Sequence, residues 1–89
     1  MAAVLSSEVL EDDVAVSLAR AIAAANERAR QVGVNVSDTL LTIAEVTSDG
    51  QVVWRVNYRP RDYVGRRGGD LVVDVDPKDA RVRRVVRGQ

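Results

Sequence analysis

Two hydrophobic periods meet in this chain, and the switch between them decides what it can fold into. From Ser7 to Gln31, the residues Leu10, Val14, Leu18, Ile22, Ala25 and Ala29 recur at intervals of three and four, the spacing that lines one face of an α-helix. In QVVWRVNYR (51–59) the interval is two. Val52, Trp54, Val56 and Tyr58 fall on one side of an extended chain, and Val53, Arg55, Asn57 and Arg59 on the other. A helix must therefore come first and half-buried strands after it.

The helical segment has ends to match. Glu8, Glu11, Asp12 and Asp13 crowd its first turns and Arg28 and Arg30 its last, each sign complementing the macrodipole, and Gly33 offers a left-handed stop. Residues 1–6 read as a disordered tail or one extra turn. Beyond the helix, TLLTIAEVT (39–47) is a β-branched run, SDG (48–50) a hairpin turn, and DLVVDVD (70–76) a second alternating strand with Leu71, Val73 and Val75 inward. PKD (77–79) turns the chain into ARVRRVVR (80–87), with Val82 and Val86 expected to face inward. That register also turns Arg84 inward, so this strand slips by one, carries a bulge or lies at an edge. The expectation is one domain over residues 1–89, an α+β fold in which an N-terminal helix packs on a curled four-stranded antiparallel meander.

Composition narrows the function classes. At 89 residues a single core carries the fold, and with 46% apolar but only 3% aromatic residues (Trp54, Tyr58, Tyr63) that core is aliphatic and thin. There is no Cys and no His, which removes disulfides, thiolate nucleophiles, zinc–thiolate sites and the commonest general base. Neither a cofactor nor a metal site is expected, and the chain is read as a non-enzyme. The amino end lacks the basic and apolar blocks of a signal peptide, and no apolar run is long enough to span a bilayer. The expected setting is the cytoplasm, and the Ala, Val, Arg and Asp bias suits a bacterial genome. Net charge is zero, yet residues 1–50 hold eight carboxylates against three arginines, and residues 51–89 ten basic groups against five acidic ones. The halves either neutralise each other within the fold or leave the molecule electrically two-faced.

The carboxylates of EDD (11–13) and DVDPKD (74–79) are close enough in sequence to invite a metal or acid–base reading. Their simpler role is a charged helix start and an exposed strand face where Asp74 and Asp76 pair with Arg55, Arg83 or Arg87. The stretch YRPRDYVGRRGGD (58–70) is long for a hairpin connection and gathers four arginines beside two tyrosines. It is a connection first and a candidate contact surface second. Guanidinium forks bind anions at two points and tyrosine adds rigid contact area, so Arg59, Arg61, Tyr63, Arg66 and Arg67, with Arg55 on the sheet, are the expected partner-binding residues. A protein partner is favoured. Nucleic acid is the alternative, carried by the basic half but short of aromatic stacking residues, since Trp54 and Tyr58 belong to the core face. A third possibility is a homodimer through the outer sheet face, which bears Val53, Arg55, Asn57, Val72, Asp74, Arg83 and Val85 in this reading.

The segments GQVVWRVNYRP (50–60) and GGDLVVDVDPKDARV (68–82) together with the final RGQ resemble small bacterial cystatin-like domains, among them peptidase-propeptide-like (PepSY-like) domains and immunity proteins of the nuclear-transport-factor-two fold. The likeness covers about residues 39–89. It implies a curled sheet gripping a helix, frequent pairing into dimers, and a role in binding or inhibition. Cystatin protease inhibitors carry a Gln-Val-Val-Ala-Gly loop; here GQVVW lacks the Ala-Gly tip, so protease inhibition is not carried over.

Overall fold

The computed structural model describes residues 6–61 and 70–88. Helices α1 (Ser7–Glu11) and α2 (Asp13–Gln31) and a 3₁₀ turn at Val36–Asp38 lead into strands β1 (Thr39–Ser48), β2 (Gln51–Pro60), β3 (Leu71–Val75) and β4 (Val82–Arg87). The strands pair antiparallel in the order β1-β2-β3-β4, an open meander. The fold is α+β, as expected.

The single helix of the sequence reading is two. Asp12 is extended (φ −90°, ψ 113°), ends α1 and caps α2, its Oδ1 accepting the N–H of Ala15 at 2.9 Å. The other end closes as expected. Gly33 has φ +90°, its N–H donates to Arg30 O at 3.0 Å, and that of Val34 donates to Ala29 O at 2.9 Å, the paired bonds of a Schellman cap. Arg87 of β4 adds an Nη2 bond to Val32 O at 3.2 Å, a cation at the negative end of α2.

The helix packs through a different line of residues from the one its larger apolar side chains mark. Ala21, Ala25 and Ala29 are fully buried, against Val56 and Tyr58 of β2 and Leu71, Val73 and Val75 of β3. Leu10 and Val14, expected inward, are 59% and 65% exposed. Methyl side chains let the helix axis approach the sheet, and α2 lies chiefly over β3, reaching β2 and β4 on either side. Trp54, Leu41, Ile43, Val82 and Val85 close the margins of this core.

In β4 the expected inward residue Val86 is wrong and Val85 takes its place. Asp74 pairs with Arg84 but Val75 with Val82, so Arg83 is the extra residue of a bulge. The bulge shifts the alternation by one, which brings Val82 and Val85 to the core and turns Arg84 and Val86 outward, relieving the conflict at Arg84. Among the described residues no helix is long and apolar enough to cross a membrane.

Candidate interaction surface

One layer of helix covers one face of the sheet. The register places the residues of the other face. Val53, Arg55, Asn57 and Arg59 of β2 lie beside Val72 and Asp74 of β3, with Leu40, Thr42, Ala44 and Val46 on the β1 side and Arg84 and Val86 on the β4 side. This is the face the sequence alternation picks out, except that the bulge turns Val85 inward; Arg83 stays on it, bordering Val53, Asp74 and Arg84.

At its centre is an ion pair. Arg55 Nε and Nη2 donate to Asp74 Oδ1 and Oδ2 at 2.8 and 3.0 Å, a bidentate contact from directly opposed positions on β2 and β3. Asp74 is buried while the Arg55 side chain is 38% exposed. The hydrogen bond to Asp74, and then its charge, raise the Arg55 guanidinium above its ordinary value. Arg84 stands opposite Asp74 on the other side. One buried carboxylate thus lies between two guanidinium-bearing positions, and the middle of the face keeps a positive excess. Beside it, Asn57 Oδ1 is buried with no hydrogen-bond donor among the described residues.

The remaining candidate residues divide in two. Arg59, one residue before the end of β2, has its Nε 3.6 Å from Asp70 Oδ2, and the exposed Arg61 follows Pro60, its backbone N–H donating to Asp38 O at 3.4 Å. Arg55 and Arg59 thus share one face of β2, and Arg61 lies just beyond its end. Tyr63, Arg66 and Arg67 lie outside the described residues.

The DVDPKD carboxylates are engaged structurally. Asp76 accepts both Nε and Nη2 of Arg83 and the N–H of Lys78, the latter at 2.7 Å, and these bonds, Arg83 first, hold its carboxyl below the ordinary value. Asp79 accepts the N–H of Arg81 at 3.0 Å. Both line an open cleft of about 460 Å³ between the two hairpin turns, floored by Val52 and Pro77. Among the described residues no group of three or more Asp, Glu, His or Cys could hold a metal ion.

Two polar residues of α2 escaped the sequence reading. Trp54 Nε1 donates to Ser17 Oγ, which donates onward to Pro77 O, both at 2.9 Å. The Tyr58 hydroxyl donates to Asn26 Oδ1 at 2.7 Å. Burial pushes the phenol up to about 12, with the nearby Arg30 charge acting in the opposite sense. The aromatics with described positions are therefore committed to the helix–sheet interface, polar atoms included. The signal for these partners was an uncharged polar residue within an alanine-rich helix, at Ser17 and again at Asn26.

No protein-family model, curated protein or solved structure matches this chain. Fold and surface define its class as a two-layer α+β protein in which, among the described residues, no helix covers the second sheet face.

Proposed function

We propose that this is a non-enzymatic protein-interaction module, of the inhibitor or immunity kind that its cystatin-like resemblance implies, which binds an acidic face of a partner protein. The supporting observation is the outer sheet face, which no described helix covers. It combines exposed apolar side chains (Leu40 and Val86, 42% and 39% exposed) with the bidentate Arg55–Asp74 pair, whose carboxylate is buried, and outward arginines at 59 and 84. Interfaces use this mixture, an apolar centre with arginine anchors and few free carboxylates. Arg59 and Arg61 extend the surface towards the connection that holds Tyr63, Arg66 and Arg67. A nucleic-acid reading has weaker support, because Trp54 and Tyr58 are spent on Ser17 and Asn26 and give no stacking platform.

The test is affinity capture from the native host's lysate, with and without nuclease, using wild type, Leu40→Glu/Arg84→Glu and Arg66→Glu/Arg67→Glu. A discrete nuclease-resistant protein that both variants lose is the expected result. Nuclease-sensitive capture would replace the reading with nucleic-acid binding. Full retention by the Leu40/Arg84 variant would remove the sheet face from the contact.

A further inference from the structure

The two edges of the sheet are built differently. On β4 the bulge at Arg83 interrupts the ladder and three arginines, at 83, 84 and 87, line the strand. Bulges and charges are how sheet proteins keep an edge from pairing. Strand β1 has neither. Its ten residues include no Lys, Arg or Pro and a single acid, Glu45, and it pairs with β2 without a register shift.

The turn geometry shows which backbone groups this edge presents. Asp49 and Gly50 have φ of 52° and 78°, the signature of a two-residue type I′ hairpin. The flanking pair, Ser48 and Gln51, then exchanges both of its backbone hydrogen bonds. Alternation from that pair directs the N–H and C=O groups of Leu40, Thr42, Ala44 and Val46 to β2, and those of Leu41, Ile43, Glu45 and Thr47 away from the sheet. Among the described residues no strand receives them.

A second observation falls on the same flank. After the exposed Leu10 of α1, an apolar line on α2 runs from the exposed Val14 through the half-buried Leu18 and Ile22. One turn further on, Asn26 reaches Tyr58 of β2, whereas Ala24 and Arg28 border Val82 of β4. The apolar line thus overhangs the side of the sheet where β1 lies.

We propose that a second copy of this chain pairs with β1 edge to edge, antiparallel about a two-fold axis at Ala44, so that two four-stranded sheets become one. Self-complementarity identifies the occupant. The outward residues Leu41, Ile43, Glu45 and Thr47 are symmetric about Ala44, so this axis sets Leu41 against Thr47 and Ile43 against Glu45 of the copy, and every outward N–H and C=O of the four gains a partner. An axis at Glu45 would oppose two carboxylates, and one at Ile43 would set Thr47 against Thr39, whose N–H already donates to Val36 O. The Ala44 axis also adds the copy's Leu41 and Ile43 to the apolar floor beside the helix. This dimer uses the sheet edge and leaves the outer face free for the partner proposed above.

The 89-residue chain lacks cysteine, which makes single-cysteine variants clean probes. At the axis, Ala44 would meet its own copy in a pair without backbone hydrogen bonds, with Cα atoms about 4.5 Å apart, a separation that a disulfide spans. Thr42 would be about 13 Å from its copy. Under mild oxidation Ala44→Cys should cross-link nearly completely and Thr42→Cys should not. In Glu45→Pro the lost N–H is an outward one, so the bonds to β2 survive while the edge is blocked. Wild type should sediment at twice the 9.7 kDa chain mass and Glu45→Pro at that mass with a cooperative melt. A wild type that is monomeric at its highest soluble concentration overturns the proposal and leaves the edge to a strand from another protein. A folded Glu45→Pro that stays dimeric, or equal cross-linking of both cysteines, also overturns it. If Glu45→Pro does not fold, the cysteine pair decides.

Discussion

Tyr58→Phe tests the tie between helix and sheet most directly. The side chain is 1% exposed, and its hydroxyl donates to Asn26 Oδ1 at 2.7 Å. Phenylalanine keeps the ring and its apolar burial and removes one hydrogen bond. A neutral hydrogen bond contributes about 1 kcal/mol net, and the acceptor left without a donor at a partly buried position raises the loss to about 1.5 kcal/mol. With an unfolding entropy near 2.1 cal/mol/K per residue, about 190 cal/mol/K for this chain, the melting midpoint should fall by about 8 °C. Asn26→Ala loses the same bond but gains about 0.5 kcal/mol of helix propensity, so it should cost about 1 kcal/mol. The double variant should cost about 1 kcal/mol less than the sum, since the bond can be lost only once. Urea unfolding at 25 °C and one fixed protein concentration measures all four corners of the cycle. A Tyr58→Phe protein within about 0.3 kcal/mol of wild type, or strict additivity, would refute the tie.

Three further outcomes follow from the same geometry. The Tyr58 phenol is pushed up to about 12 from 10.0, so the unfolded chain ionises first. Its stabilising effect is complete below pH 10 and is lost as pH rises towards 12, so the urea-midpoint gap between wild type and Tyr58→Phe should narrow across that window. Gly50→Ala, at φ +78° in the β1–β2 turn, should cost about 1–2 kcal/mol in thermal melts. Ala25→Leu, at a position with no exposure beneath α2, should cost about 1–3 kcal/mol by forcing helix and sheet apart, and an unchanged midpoint would mean the alanine line is not the contact.

What could be read in advance was whatever depends on neighbours in sequence. Alternation assigned Trp54, Val56 and Tyr58 to the core side of β2, Asp-Gly marked the tight turn, and Arg55 and Asp74 were matched across strands because opposed charges on one sheet face attract. The misreadings arise where two local preferences compete and the tertiary contact decides. The spacing of three and four puts Ala25 and Ala29 on the packing face, but it puts Leu10 and Val14 there in place of Ala21, which they outrank in hydrophobicity; close approach to the sheet favours the methyl line at 21, 25 and 29, about a quarter-turn round the helix. Asp12 is a fair first-turn residue and a better cap, and the cap prevails. The bulge at Arg83 leaves only an arginine at an inward register as its trace in the sequence, which three different arrangements would have satisfied. Ser17 and Asn26 gave no periodic signal, because their partners are 37 and 32 residues away.

The charge segregation takes on meaning once the ion pairs are placed. All four among the described residues, Arg55–Asp74, Arg59–Asp70, Arg81–Asp79 and Arg83–Asp76, join residues of the basic second half to each other. Within these four pairs no carboxylate of the first half meets a base of the sheet, so the described parts of the two halves keep opposite signs: acid at the start of the helices, base on β2 and β4. A dipole of this kind does little for stability, since exposed charges are screened beyond about 10 Å at moderate salt. It acts on encounter. An acidic protein approaching the outer face is steered towards Arg59 and Arg84, and its association rate should fall with ionic strength while its dissociation rate changes little. Self-pairing at β1 involves one carboxylate per strand, set opposite an isoleucine, and rests on backbone hydrogen bonds instead. The two proposed contacts therefore separate by salt: partner capture weakens as it rises, and the dimer does not.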